Sequence, residues 1–82
     1  MIERNILVLA SLEARPAALF VQTASQFASS IYLKMDDKTI NAKSIMGVIS
    51  LGVLDNQNVT IIAEGQDEEQ AVDKLERFLS AV

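Results

Sequence analysis

The chain contains no cysteine and no histidine. Without cysteine, disulfides and thiolate catalysis are excluded, and with them a disulfide-stapled secreted scaffold. Without histidine, the commonest general base and a leading metal ligand are missing. Tetrahedral zinc of the Cys/His type cannot be built. Cationic residues are sparse and scattered: 7 Lys and Arg stand against 11 Asp and Glu, for a net charge of −4. Direct nucleic-acid binding by phosphate neutralisation is therefore not expected. No apolar run approaches the length that crosses a bilayer. The opening "MIERNILVL" has no basic segment ahead of its apolar part and no small-residue cleavage site, so no signal peptide is expected. An acidic balance of this size is ordinary for a soluble cytoplasmic protein.

Half of the 82 residues are hydrophobic, which supports one domain over residues 1–82 with a small core. From Ile2 to Leu9, Ile2, Arg4, Ile6 and Val8 alternate with Glu3, Asn5, Leu7 and Leu9, the period of a strand. In "SLEARPAAL", Pro16 fits the first turn of a helix, where its missing N–H costs nothing. Leu19, Phe20, Ala24, Phe27 and Ala28 then supply an amphipathic stripe. "SSIYLKMDDKTIN" reads as a hairpin. Ile31, Leu33 and Met35 alternate with Tyr32 and Lys34, and Asp36-Asp37 is the turn.

Ser44 is placed to cap a short helix from Ile45 to Leu51, with Gly52 at its end. "NQN" reads as a turn and "VTIIAE" as a strand. Asp67 with Gln70 forms a capping-box-like start to the last helix, and Glu68 and Glu69 complement its positive end. Ala71, Val72, Leu75, Phe78, Leu79 and Val82 form its apolar stripe. The order is β-α-β-β-α-β-α, and the stripes must be buried on one face of the sheet, giving a two-layer α+β domain. Periodicity alone does not settle the strand order.

"LEARPAALFVQTAS", "NAKSIMGVISLG" and "TIIAEGQDEEQAVDKLERFL" together resemble the histidine-containing phosphocarrier family, HPr, at matching spacing over nearly the whole chain. The run Lys43-Ser44-Ile45-Met46-Gly47 with Ser50-Leu51-Gly52 is the most specific part. The resemblance implies an open-faced β-sandwich, an antiparallel four-stranded sheet in the order 1-4-2-3 with three helices on one face. HPr proteins carry a phosphoryl group on the histidine of a Gly-x-His-Ala-Arg-Pro motif, between enzyme I and the sugar-specific components of the phosphotransferase system. In Gram-positive-type relatives, an HPr kinase/phosphorylase modifies the serine of Lys-Ser-Ile-Met-Gly, and the product is a corepressor for the repressor CcpA. The Crh (catabolite repression HPr) subgroup keeps that serine and has glutamine for the histidine. The chain is most similar to this subgroup, with Glu13 at the degenerate histidine position and Ser11 in place of the motif glycine.

A carboxylate at residue 13 forms only an acyl phosphate, not a phosphoramidate, so histidyl phosphotransfer is chemically unavailable. Glu13 has two readings: a charge that favours a helix start by roughly 0.3–1 kcal/mol, or a partial imitation of phosphohistidine. Arg15 suits bidentate contact with a carboxylate or phosphate, either by pairing with Glu13 or on a partner. Ser44 is the expected phosphorylation site, where a phosphate adds about −1.5 to −2 charge beside the helix start. The resemblance places Lys43, Ile45, Met46 and Ile49 around it as a partner-binding patch. Core packing is the alternative for some of these apolar side chains, and the choice stays open for Ile49 and Leu51. An exposed Lys43 would meet the kinase or the phosphate, or simply be solvated.

The leading expectation is a non-enzymatic regulator of carbon catabolite repression with no cofactor and no metal. Its partners would be an HPr kinase/phosphorylase and a CcpA-like repressor, with no membrane. The alternatives are a phosphotransferase-system component, using Glu13 or simply retained in the family, and an unmodified HPr-like module that binds a metabolic enzyme. On the family sheet, Leu7, Tyr32 and Ile62 would share an apolar patch on the open face, which would support a homodimer.

Overall fold

The computed structural model describes residues 1–9, 14–51 and 57–80. Its elements are β1 (Ile2–Val8), α1 (Ala14–Ser25), β2 (Ser30–Met35), β3 (Lys38–Asn41), α2 (Ile45–Ser50), β4 (Gln57–Glu64) and α3 (Glu68–Ser80). The sheet is four-stranded in the order β1-β4-β2-β3, with every neighbouring pair antiparallel. Both the element order and the strand order match the expected architecture.

Alternation sorts the sheet residues between two faces. Ile6 and Val8, Ile31 and Leu33, and Val59, Ile61 and Ala63 are buried. They join Ala17, Phe20 and Ala24 of α1, Val48 and Leu51 at α2, and Ala71, Val72, Leu75 and Leu79 of α3 in one cluster. All three helices therefore contribute to a single core against one side of the sheet.

Several local expectations change in the structure. In α1 the inward face is Ala17, Phe20 and Ala24, whereas Leu19 is 50% exposed. Leu19 precedes Phe20 by one residue, a rotation of about 100° that carries it off the buried stripe. The helix stops at Ser25, so Phe27 and Ala28 lie beyond it. The N–H groups of Gln26 and Phe27 close on the Thr23 and Ala24 carbonyls at 3.2 Å each, a tightened last turn.

Gln57 and Asn58 are not in a turn. They pair with Val8 and Leu7, because the inner strand must supply partners along the whole length of β1, and that pairing overrides local turn preference. Asn56, Gly52 and Val82 lie outside the described residues. The Asp36-Asp37 turn forms as expected, with Asp36 at φ 55°, a conformation that aspartate tolerates better than most residues.

The open face is also rearranged. Tyr32 stands opposite Ile62, but Leu7 stands opposite Asn58. Leu7 is thus four residues along β4 from the level of Ile62, about 13 Å at ~3.4 Å per residue. The polar row Asn5, Thr60 and Lys34 lies between them. The three side chains share a face but do not form one patch.

The start of α3 differs most from its sequence reading. The Asp67 carbonyl accepts the Ala71 N–H at 2.9 Å as a helix bond. Its carboxylate turns instead to the segment after α1, accepting the Ala28 N–H at 2.8 Å and the Ser29 N–H at 2.9 Å. It also accepts a hydrogen bond from the Ser29 hydroxyl. The reciprocal cap comes from Glu68, which accepts the Gly65 N–H at 3.1 Å. Tertiary demand explains the exchange: Ser29 is buried, and buried N–H groups require acceptors. Gly65, at φ 153°, allows the close approach, because a Cβ there would lie 2.5 Å from Ser29 Oγ. At the other edge, Arg4 of β1 donates to Asp73 at 2.7 Å and Glu76 at 2.8 Å, tying α3 to the sheet.

The Ser29 hydroxyl, followed by the Ala28 N–H, holds the Asp67 carboxyl below its ordinary value of 3.8, against the opposing effect of burial. A depressed folded-state pKa adds stability that is complete above the unfolded value and is lost as pH falls through the folded one. Asp67→Asn should therefore be less stable than wild type at neutral pH, with the difference shrinking as acid is added below the ordinary aspartate range. Urea unfolding midpoints of both proteins across that acid range measure it, and a difference that does not narrow would contradict the assignment.

Candidate functional site

The site is built at the junction of β3 and α2. Ala42 anchors the connection, being fully buried and donating its N–H to the Ile31 carbonyl at 2.9 Å. Asn41 shapes the turn: its side-chain oxygen accepts the Lys43 N–H at 2.8 Å, and its carbonyl accepts the Ser44 N–H at 3.0 Å. Ser44 is then extended (φ −105°, ψ 116°) and caps α2. Its Oγ accepts the Gly47 N–H at 3.2 Å, and its carbonyl accepts the Val48 N–H at 3.0 Å. The hydroxyl group is half-buried at the edge of an apolar surface.

That surface is asymmetric along the short helix. Val48 is fully buried and Leu51 nearly so, while Ile45, Met46 and Ile49 are 37%, 74% and 40% exposed. The open choice at Ile49 and Leu51 is thereby decided: Ile49 faces outward and Leu51 packs inward. Ile45 also lines an open groove of about 750 Å3 with Ala18, Val21, Gln22, Ser25 and Gln26 of the α1 region. These α1 residues were not singled out from sequence, and the exposed Leu19 was read there as part of the buried stripe. Their helical period is visible there, but which side meets α2 depends on the fold.

Lys43 corrects its sequence reading. It is half-buried rather than freely exposed, and its Nζ donates to the Phe27 carbonyl at 2.7 Å. α1 has no basic residue in its last turn, so Lys43 brings a cation to the negative end of that helix from another element. Ser11 and Glu13 lie outside the described residues. Arg15 is in the first turn of α1, and its side chain lies outside the description, as does any pairing with Glu13. Among the described residues, no cluster of His, Cys, Asp or Glu could hold a metal ion, and no helix is long and apolar enough to cross a membrane.

A family model described as the PTS HPr component phosphorylation site matches residues 5–81. The chain belongs to the HPr family. Within it, the chain is 53% identical over 68 residues to the HPr-like protein Crh of Bacillus subtilis, covering 83% of this chain and 80% of that one. It is 46% identical over 81 residues to the HPr-like protein Crh of Halalkalibacterium halodurans, covering 96% of each. The HPr fold is equally plain in three dimensions. The crystal structure of the phosphocarrier protein HPr from Bacillus anthracis superposes with a TM-score of 0.91 at 42% identity, over 96% of each chain. A crystal structure of the B. subtilis Crh, described as a dimer with a swapping domain, gives 0.78 at 47% identity, over 96% of this chain and 93% of that one.

Replacing Ser44 with alanine removes the acceptor for the Gly47 N–H and should cost about 1 kcal/mol, the usual value of a lost N-cap. Chemical denaturation checks this. An unchanged midpoint would show that the cap contributes nothing to stability.

Proposed function

We propose that this HPr-family chain is a cytoplasmic, non-enzymatic regulator of carbon catabolite repression. An HPr kinase/phosphorylase phosphorylates Ser44, and the seryl-phosphorylated protein acts as corepressor of a CcpA-like repressor. The observation that carries this reading is the pairing of Ser44, at the rim of α2, with the outward-facing Ile45, Met46 and Ile49. The absence of histidine from the chain removes the phosphocarrier role of the wider family, and the similarity to Crh proteins favours the regulatory branch.

A phosphate on Ser44 adds about −1.5 to −2 charge and strong acceptor oxygens at the edge of the apolar patch. Lys43 is already engaged with the Phe27 carbonyl. On a partner, an arginine would bind the phosphate bidentately while apolar side chains cover Met46. Modification changes the surface without requiring a new fold. Glu13 and Arg15 belong to this reading as further partner contacts.

Incubation with an HPr kinase/phosphorylase and ATP, followed by mass spectrometry, should show one phosphate on Ser44 and none in Ser44→Ala. An unmodified wild-type protein would reject the proposal. Partner capture that ignores the Ser44→Ala change would instead support an unmodified binding module.

Self-association is part of the same proposal, supported by the dimer described for Crh. Sedimentation equilibrium should show a mass rising with concentration from 9.0 kDa toward twice that value. A constant monomer mass at high concentration would remove the homodimer.

A further inference from the structure

A second concavity, between α1 and α3, plays no part in the Ser44 reading. It is an open groove of about 800 Å3, and neither Ser44 nor Lys43, Ile45, Met46 or Ile49 lines it. Phe27 and Phe78 give it an apolar surface, Gln26 and Gln70 contribute amides, and Lys74 and Arg77 contribute cations. Phe78 packs edge-on against the buried Phe20, with ring centroids 5.5 Å apart, yet is itself only half-buried, as is Phe27. Apolar surface thus remains open beside fixed positive charge.

The charge distribution distinguishes this groove from the rest of an acidic chain. Asp73 is the acidic residue lining it, and its carboxylate is bound by Arg4 at 2.7 Å. Glu76 is drawn to the same guanidinium at 2.8 Å. Among the described residues, Lys74 reaches the neutral Gln26 side chain, at 3.5 Å. Neither Lys74 nor Arg77 forms an ion pair among the described residues. Lys74 and Arg77 thus outnumber Asp73 among the charged residues lining the groove, in a chain whose net charge is −4.

Lys74 and Arg77 are three residues apart on α3, which places their Cβ atoms about 5–6 Å apart on one side of the helix. Alternate residues of an extended peptide present side chains on one face at about 6.5–7 Å. Two carboxylates at that spacing can meet both cations, while the next residue on the same face brings an apolar group to the phenylalanines. We infer that the α1–α3 groove docks an extended acidic segment of a partner protein, of the pattern acidic-x-acidic-x-apolar. Lys74 and Arg77 bind its carboxylates, Phe27 and Phe78 receive its apolar side chain, and Gln26 and Gln70 serve its backbone. This surface is independent of phosphorylation at Ser44.

The test is titration of an end-blocked peptide, Glu-Ser-Glu-Ser-Leu, into the isotope-labelled, unphosphorylated full chain, followed by amide NMR. Saturable shift changes should be confined to residues 23–27 and 70–78. Affinity should fall about threefold to tenfold in the double variant Lys74→Gln and Arg77→Gln, the scale of two exposed charge pairs. Replacing both glutamates of the peptide with glutamine should weaken binding similarly, and added salt should weaken it progressively. Shift mapping on wild type stands whether or not the variant folds. The inference is overturned by an absence of saturable shifts at millimolar peptide, by shifts centred on Lys43–Ile49, or by unchanged affinity in a folded double variant. Shifts at the groove that depend on protein concentration without peptide would assign it to a second copy of the chain and equally overturn the inference.

Discussion

Insertion of β4 between β1 and β2 is the constraint on which the rest of this structure depends. β4 is the last strand in the chain, yet its residues pair with β1 from Ile2 to Val8 and with β2 from Ser30 to Lys34. Without it, β1 has no partner in the sheet and the β2–β3 hairpin is isolated, a unit that is marginal in water. Its inward residues Val59, Ile61 and Ala63 are buried at the centre of the core. Ile31 and Ile2 both stand opposite Ala63, and Leu33 and Arg4 both stand opposite Ile61. One strand thus sets the level of its two neighbours and the face onto which the helices fold.

The segment between α1 and β2 shows how the helix layer is joined to this sheet. Its exposed backbone ends have opposite character, and the structure meets each with opposite charge. Lys43, from the turn before α2, donates to the Phe27 carbonyl. Asp67, at the start of α3, accepts from the amides of Ala28 and Ser29. Three consecutive backbone groups after α1 therefore connect the beginnings of the other two helices. Such charge-assisted bonds are stronger than neutral ones, and they hold α1 against both the Ser44 turn and the α3 groove. The same arrangement engages Lys43, the residue before Ser44, with the end of α1.

Much of the fold and part of the site were legible in the sequence. Alternation at Ile31, Tyr32 and Leu33 gave the β2 pleat, and the period of Ala71, Val72, Leu75 and Leu79 gave the buried side of α3. Ser44 was legible as a cap because its bond to Gly47 spans only three residues. The errors arose where a side chain has two plausible partners, one near and one far. Asp67 has the local pattern of a capping residue, but amides nearly forty positions earlier take its carboxylate, as the 39- and 38-residue separations of its bonds show. Leu19 has the composition of a core residue, yet a single step around the helix places it in solvent. Gln57 and Asn58 look like a turn until β1 is available to pair with them.

By itself, the sequence determined the element types, the two-layer α+β class and the chemistry that is excluded: no histidyl phosphotransfer, no thiolate, no Cys/His zinc site. These follow from residue identity and from contacts within a few positions, which the linear order already contains. Tertiary structure alone decided that Leu7 is separated from the Tyr32–Ile62 pair, that Ile49 faces out while Leu51 faces in, and that Lys43 is held by Phe27. It also decided that Arg4 is shared between Asp73 and Glu76 and that Lys74 and Arg77 line an open groove. Each of these depends on register or on packing between elements far apart in the chain, where competition among distant partners, rather than local propensity, selects the contact.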